Sequence, residues 1–143
     1  MSSFAALANA SEVSVEDLFE YYDNLEPIPI AFMIGDWEGD VFRCGHEGEA
    51  QMAAFRWTGK RFHGPNEVDP IIVRDDAGAR AVSPIMGKAS LRMVEHRGAS
   101  TATMIYDKHP IFDHFRKIDD DRVMGVMDRK GDAFPLFFWL RRL

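Results

Sequence analysis

Two short segments, one early and one late, constrain this chain more than anything between them. Gly35-Asp36-Trp37-Glu38-Gly39 opens a strand, and Phe137-Phe138-Trp139-Leu140-Arg141-Arg142 reads as another. A Gly-x-Trp turn entering a first strand, with an Arg on the last, is one way a small antiparallel barrel closes an end. Gly35 permits the tight turn, Trp37 is placed as the plug of the floor, and Arg141 or Arg142 can lie across the indole face. A barrel of this kind is a container, and the expected content is a small apolar molecule.

The segments between fit that architecture. Ser14 caps a helix whose first turn holds Glu16 and Asp17 and whose Leu18, Phe19, Tyr22 and Leu25 recur at helical spacing. Pro27 and Pro29 end it, and the helix is expected to cover one barrel opening. Strands are expected over 37–43, 60–62, 71–74, 89–95, 102–106, 122–128 and 136–142, separated by turn chemistry such as Asp75-Asp76-Ala77-Gly78 and Arg129-Lys130-Gly131-Asp132. A second short helix is expected over Ala50–Trp57. The fold class is therefore mostly β with short helices (α+β): an antiparallel, calycin-like β-barrel capped by an N-terminal helix. An open sheet backed by the two helices is the competing arrangement.

At 143 residues, 46% hydrophobic and 28% charged, the chain is one domain's worth. The first half, 1–78, and the second half, 79–143, are expected to fold together. A net charge of −6 argues against a nucleic-acid or anionic-membrane surface. Cys44 is a lone cysteine, which precludes an internal disulfide. The histidines and Cys44 lack the close spacing of a zinc site, so no metal is expected. Met1 to Ala10 lacks the positive charge of a secretory leader, and no stretch reaches a membrane span. These readings point to a cytoplasmic protein.

The chain resembles the GXWXG-motif family with its companion C-terminal domain of unknown function. The resemblance rests first on Gly35–Gly39, Gly45-His46, Trp57-Thr58-Gly59-Lys60-Arg61-Phe62 and Val68-Asp69-Pro70-Ile71. The second half adds Tyr106-Asp107, Pro110-Ile111-Phe112-Asp113-His114-Phe115-Arg116, Met124–Asp128 and Phe138–Arg141. Most of the chain after Gly35 is covered. Thr58 stands where the family pattern prefers an aromatic, an exchange expected to reshape the pocket locally. The resemblance implies the calycin-like barrel and says little about chemistry.

Chemistry-bearing side chains concentrate in Tyr106–Arg116. As a short helix started by Pro110, this segment would point Asp113 away from the apolar face and pair it with Arg116 in water. As a strand, it would set Asp113 on one face between Ile111 and Phe115, with His114 on the other. A desolvated Asp113 would stay protonated and serve as a general acid. His114 and His46 complete the candidate catalytic set; His46 either acts as a neutral acid–base partner or simply caps the second helix. Trp57, Lys60, Tyr106, Phe112 and Phe115 are candidate substrate contacts, against the blander roles of core aromatic, snorkelling lysine and core tyrosine. Eight Met, eleven Phe and three Trp supply an adaptable apolar lining.

An apolar pocket with these acid–base candidates suits a cofactor-free isomerase or lyase acting on a small apolar oxygenated molecule, and the family resemblance is what implies a terpene-like epoxide of the α-pinene oxide type. The rival is a carrier of a fatty acid, a terpene or haem, with His109 or His114 as axial ligand. A third possibility is a homo-oligomeric module whose apolar surplus sits at an interface.

Overall fold

The computed structural model describes residues 3–143, so Met1 and Ser2 of the apolar N-terminal run lie outside it. Helices α1 (Phe4–Asn9) and α2 (Val15–Asp23) come first, followed by the two-residue strand β1 (Glu26–Pro27) and α3 (Ile30–Met33). Strand β2 (Gly35–Val41), helix α4 (Gly48–Phe55), β3 (Trp57–Gly64) and β4 (Glu67–Arg74) complete the first half, and the short β5 (Arg80–Val82) opens the second. The rest of the second half is all strand: β6 (Ala89–His96), β7 (Ala99–Tyr106), β8 (Ile111–Asp119), β9 (Arg122–Arg129) and β10 (Leu136–Arg142).

The order β8-β7-β6-β4-β3-β2-β10-β9 returns to β8, closing an eight-stranded antiparallel barrel. Closure removes the open edges that a sheet of this length would otherwise expose. Alternation along each strand sorts the apolar residues into two cores. Inward residues such as Trp37, Phe62, Met104, Phe115 and Phe138 fill the barrel. Outward residues Met124, Val126 and Phe137 pack beneath Leu7, Leu18 and Tyr22 of α1 and α2.

One barrel end is closed by Trp37 of β2 as the plug, held by α3. Trp37 is fully buried there; its Nε1 donates to the Met33 carbonyl at 2.9 Å, and the Arg142 guanidinium lies 4.4 Å from its ring. Arg142 is thus the floor arginine, while Arg141 turns outward to Glu38. Helix α2, expected over the opening, lies instead on the outer wall, because its apolar stripe matches the outward stripe of β9 and β10. The second helix also ends earlier than its composition indicates. Arg56 adopts a left-handed C-cap (φ 56°), and Trp57 begins β3.

Around the closed barrel the two halves meet at two seams, β4 against β6 and β2 against β10, with β1 on β8 and β5 on β4 as further pairings between them. Cutting the chain between Gly78 and Ala81 would open both. Each piece would be too small and too edge-exposed to bury a core, so neither is expected to fold alone. Well-dispersed NMR spectra from each isolated piece would overturn that expectation.

Candidate functional site

Within Tyr106–Arg116, Tyr106 ends β7, residues 107–110 form the connecting bend, and Ile111–Arg116 resolves in the extended form. Strand β8 pairs with β7 and β9, with Asp113 opposite Met104 and Met127. Ile111, Asp113 and Phe115 therefore face the barrel interior, while Phe112, His114 and Arg116 face outward. The helical alternative, with Asp113 in water beside Arg116, does not form; the two strands flanking β8 take up its backbone groups.

Asp113 meets Lys60 inside the barrel. Lys60 and Asp113 are 3% and 1% exposed, with Lys60 Nζ 3.2 Å from Asp113 Oδ2. The same ammonium donates to the Pro70 carbonyl at 3.1 Å and to the Tyr106 hydroxyl at 3.5 Å. Its Nζ also lies 5.6, 5.6 and 5.2 Å from the ring centres of Trp57, Tyr106 and Phe138. Trp57, Lys60, Tyr106, Asp113 and Phe115 thus converge on one apolar interior.

An irregularity in β3 makes this convergence possible. Trp57 and Lys60 are three residues apart, so a regular strand would point them to opposite faces. The register with β4 shifts between Trp57 and Gly59 and again between Gly59 and Arg61, which brings both side chains inward. Gly59 is required at the turn-over: a Cβ there would sit 1.9 Å from the Trp37 carbonyl oxygen.

Burial dominates the electrostatics. It pushes the Asp113 carboxyl above the usual carboxylate range and the Lys60 amine below the usual lysine range, and in each the partner's charge opposes the shift. Burial, then the nearby Asp113, holds the Tyr106 phenol protonated. Two polar atoms in this neighbourhood are buried without a hydrogen-bond partner, Asp113 Oδ1 and Trp57 Nε1. Such orphans are uncommon in native interiors and mark places where a ligand or water atom belongs. Trp57 also lines a half-open cleft of about 380 Å³ shared with Met52, Val41, Arg43 and Glu49, which makes it the partition between the cleft and the interior.

The remaining candidates stand elsewhere. His46 is buried at the start of α4, where its Nδ1 accepts from Gly48 N and its Nε2 donates to Asp132, both at 2.8 Å. That is a helix-capping arrangement, with Glu49 accepting from His46 N beside it. His114 is on the outer wall beneath α2, stacked on His96 at 3.8 Å and hydrogen-bonded to Thr103 at 3.0 Å. Burial lowers its basicity, and Asp128 partly offsets this; His96 is pulled down to about 4. Phe112 faces outward against His114, and His109 is exposed in the turn before β8. Neither histidine considered for haem faces the interior from these positions. Burial lifts the Cys44 thiol to about 11, leaving it a poor nucleophile.

Pro70 and Phe138 belong to the cluster and were not among the sequence candidates. Phe138 was accessible from the alternation Leu136, Phe138, Leu140 along β10. Pro70 contributes only its carbonyl, which no side-chain pattern reveals. Among the described residues no group of three or more His, Cys, Asp or Glu side chains is arranged to hold a metal ion, and no helix is long and apolar enough to cross a membrane.

Comparison with known proteins agrees with this architecture. A family described as GXWXG protein matches residues 20–78, and a domain of unknown function (DUF4334) matches residues 87–142. A crystal structure of a protein from Thermomonospora curvata is similar at a TM-score of 0.89 and 41% identity, covering 92% of this chain and 89% of that one. No curated protein matches the sequence. The chain belongs to the GXWXG family, with the companion DUF4334 domain completing its barrel.

Proposed function

We propose that the barrel interior binds a small, mostly apolar molecule through an oxygen atom and isomerises it by proton transfer from Asp113. The observation that carries this reading is Asp113 Oδ1, buried beside Lys60 with no partner. A ligand oxygen there would accept from protonated Asp113, and the Trp57 indole N–H offers a second donor of the same polarity. The Tyr106 phenol accepts from Lys60 and keeps its own proton to donate.

A strained terpene epoxide is the substrate class whose chemistry asks for nothing more than these groups. Asp113 protonates the ring oxygen and the C–O bond breaks. The faces of Trp57, Phe115 and Phe138 stabilise the developing carbocation. A C–C bond then breaks as the C=O forms, and the oxygen gives up its proton to the Lys60 amine. Lys60 returns that proton to Asp113 across their 3.2 Å contact, so the reaction is a net isomerisation. A dry interior prevents capture of the cation as a diol. In this reading Lys60 takes the proton-accepting role that the sequence assigned to His46.

The test uses α-pinene oxide with purified protein and no added metal or nucleotide. Asp113→Asn keeps the shape and removes the transferable proton; kcat is expected to fall about 10²-fold or more, while a thermal shift on the epoxide persists. The wild-type rate should decline as pH rises through the elevated pKa of Asp113, because only the protonated carboxyl donates. Turnover by Asp113→Asn at the wild-type rate would remove Asp113 from the chemistry. A thermal shift without turnover by the wild type would make the protein a carrier.

A further inference from the structure

We propose that Lys60 is a covalent capture point for an apolar aldehyde, which it holds as an imine inside the barrel. This rests on the reading above, that a ligand oxygen is the missing partner of Asp113 Oδ1. It goes further by naming the carbonyl as the ligand class and a bond to Nζ as the mode of retention.

An imine-forming lysine needs a lone pair on nitrogen, a proton donor for the departing hydroxyl, a counter-ion for the cationic product and exclusion of water. All four surround Nζ here. The neutral amine is favoured by the apolar enclosure, an effect that elsewhere makes buried lysines nucleophilic at neutral pH. The donor is Asp113, with Oδ2 at 3.2 Å and Oδ1 unpaired. Its conjugate carboxylate then stands as the counter-ion. Trp57, Tyr106 and Phe138 present their rings to the nitrogen within 5.6 Å, a cation–π enclosure that serves an iminium as well as an ammonium.

The step balances without a further reagent. Nζ donates its lone pair to the carbonyl carbon, and the C=O π pair moves to oxygen, which takes the Asp113 proton. The nitrogen then passes one proton to the Asp113 carboxylate, giving a neutral carbinolamine beside a carboxylic acid. Asp113 protonates the hydroxyl, the C–O bond breaks and the nitrogen lone pair forms C=N. The sum is aldehyde, amine and carboxylic acid in; protonated imine, carboxylate and one water out.

The experiment traps the imine in the wild-type protein. Citronellal is added at neutral pH with sodium cyanoborohydride, followed by intact mass measurement and peptide mapping. The expected product is one adduct, heavier by the mass of the aldehyde less one oxygen atom, located on Lys60. It should form about tenfold or more faster than adducts on Lys88, Lys108, Lys117 and Lys130, none of which is buried or stands beside Asp113. In Asp113→Asn, trapping at Lys60 should slow about 10²-fold with loss of the acid. Adducts confined to the other lysines, or formed on them as fast as on Lys60, overturn the proposal. A thermal shift with citronellal or α-pinene oxide, measured without reductant, separates the two readings. A shift without a Lys60 adduct overturns covalent capture and leaves oxygen binding beside Asp113. Neither shift nor adduct removes both.

Discussion

Lys60→Met is expected to destabilise the protein by about 3–5 kcal/mol, the scale for leaving one member of a buried ion pair alone. The methionine fills the volume, so the loss falls on Asp113, whose Oδ1 already has no partner. The variant should also become strongly pH-dependent. Burial raises the folded-state pKa of Asp113, and Lys60 is the influence that lowers it. Without Lys60 the folded chain holds a proton that the unfolded chain releases near pH 4. Stability is then greatest below that pH and is lost as pH rises toward the folded-state value. The double variant Lys60→Met with Asp113→Leu removes both charges and should recover most of the stability, or exceed the parent. Urea melts at pH 5 and pH 8 on the three proteins check this. A single variant as stable as the parent at pH 8 would mean that water reaches the pair.

Trp37→Ala should cost about 3–5 kcal/mol as well, for a different reason. The indole is fully buried at the barrel floor, so its removal leaves a cavity bounded by α3 and the Arg142 guanidinium. It also frees the Met33 carbonyl that Trp37 Nε1 satisfies, and it takes the aromatic face from beneath a charged group. Trp37→Phe keeps most of the volume but not the hydrogen bond, and should lie between the two. A thermal midpoint unchanged in Trp37→Ala would show that the floor is held by something other than this plug.

The barrel was legible because its strands carry their own punctuation. Leu136–Arg142 appears with the expected bounds, and Gly35–Gly39 with a C-terminal arginine correctly located the floor. What local pattern could not decide was the segment after Pro110, where a helical start and an alternating strand are written in the same residues. Pairing with β7 and β9 decided it, and long-range pairing is absent from local sequence. Lys60 stood between a substrate contact and a snorkelling surface lysine for a similar reason: the shift at Gly59 that turns it inward is set by the register with β4. His46 and His114 were plausible chemistry by residue type, yet each already has its hydrogen bonds spent on the scaffold.

The central pair straddles the seam between the two matched segments. Lys60 lies within 20–78 and Asp113 within 87–142. Neither segment holds the pair by itself: one brings the buried lysine, the other the buried carboxyl. Any rearrangement that exchanged one segment for a relative's would have to match charge across the lumen as well as strand register. The two segments are therefore tied to each other by the buried Lys60–Asp113 contact, and not only by barrel closure.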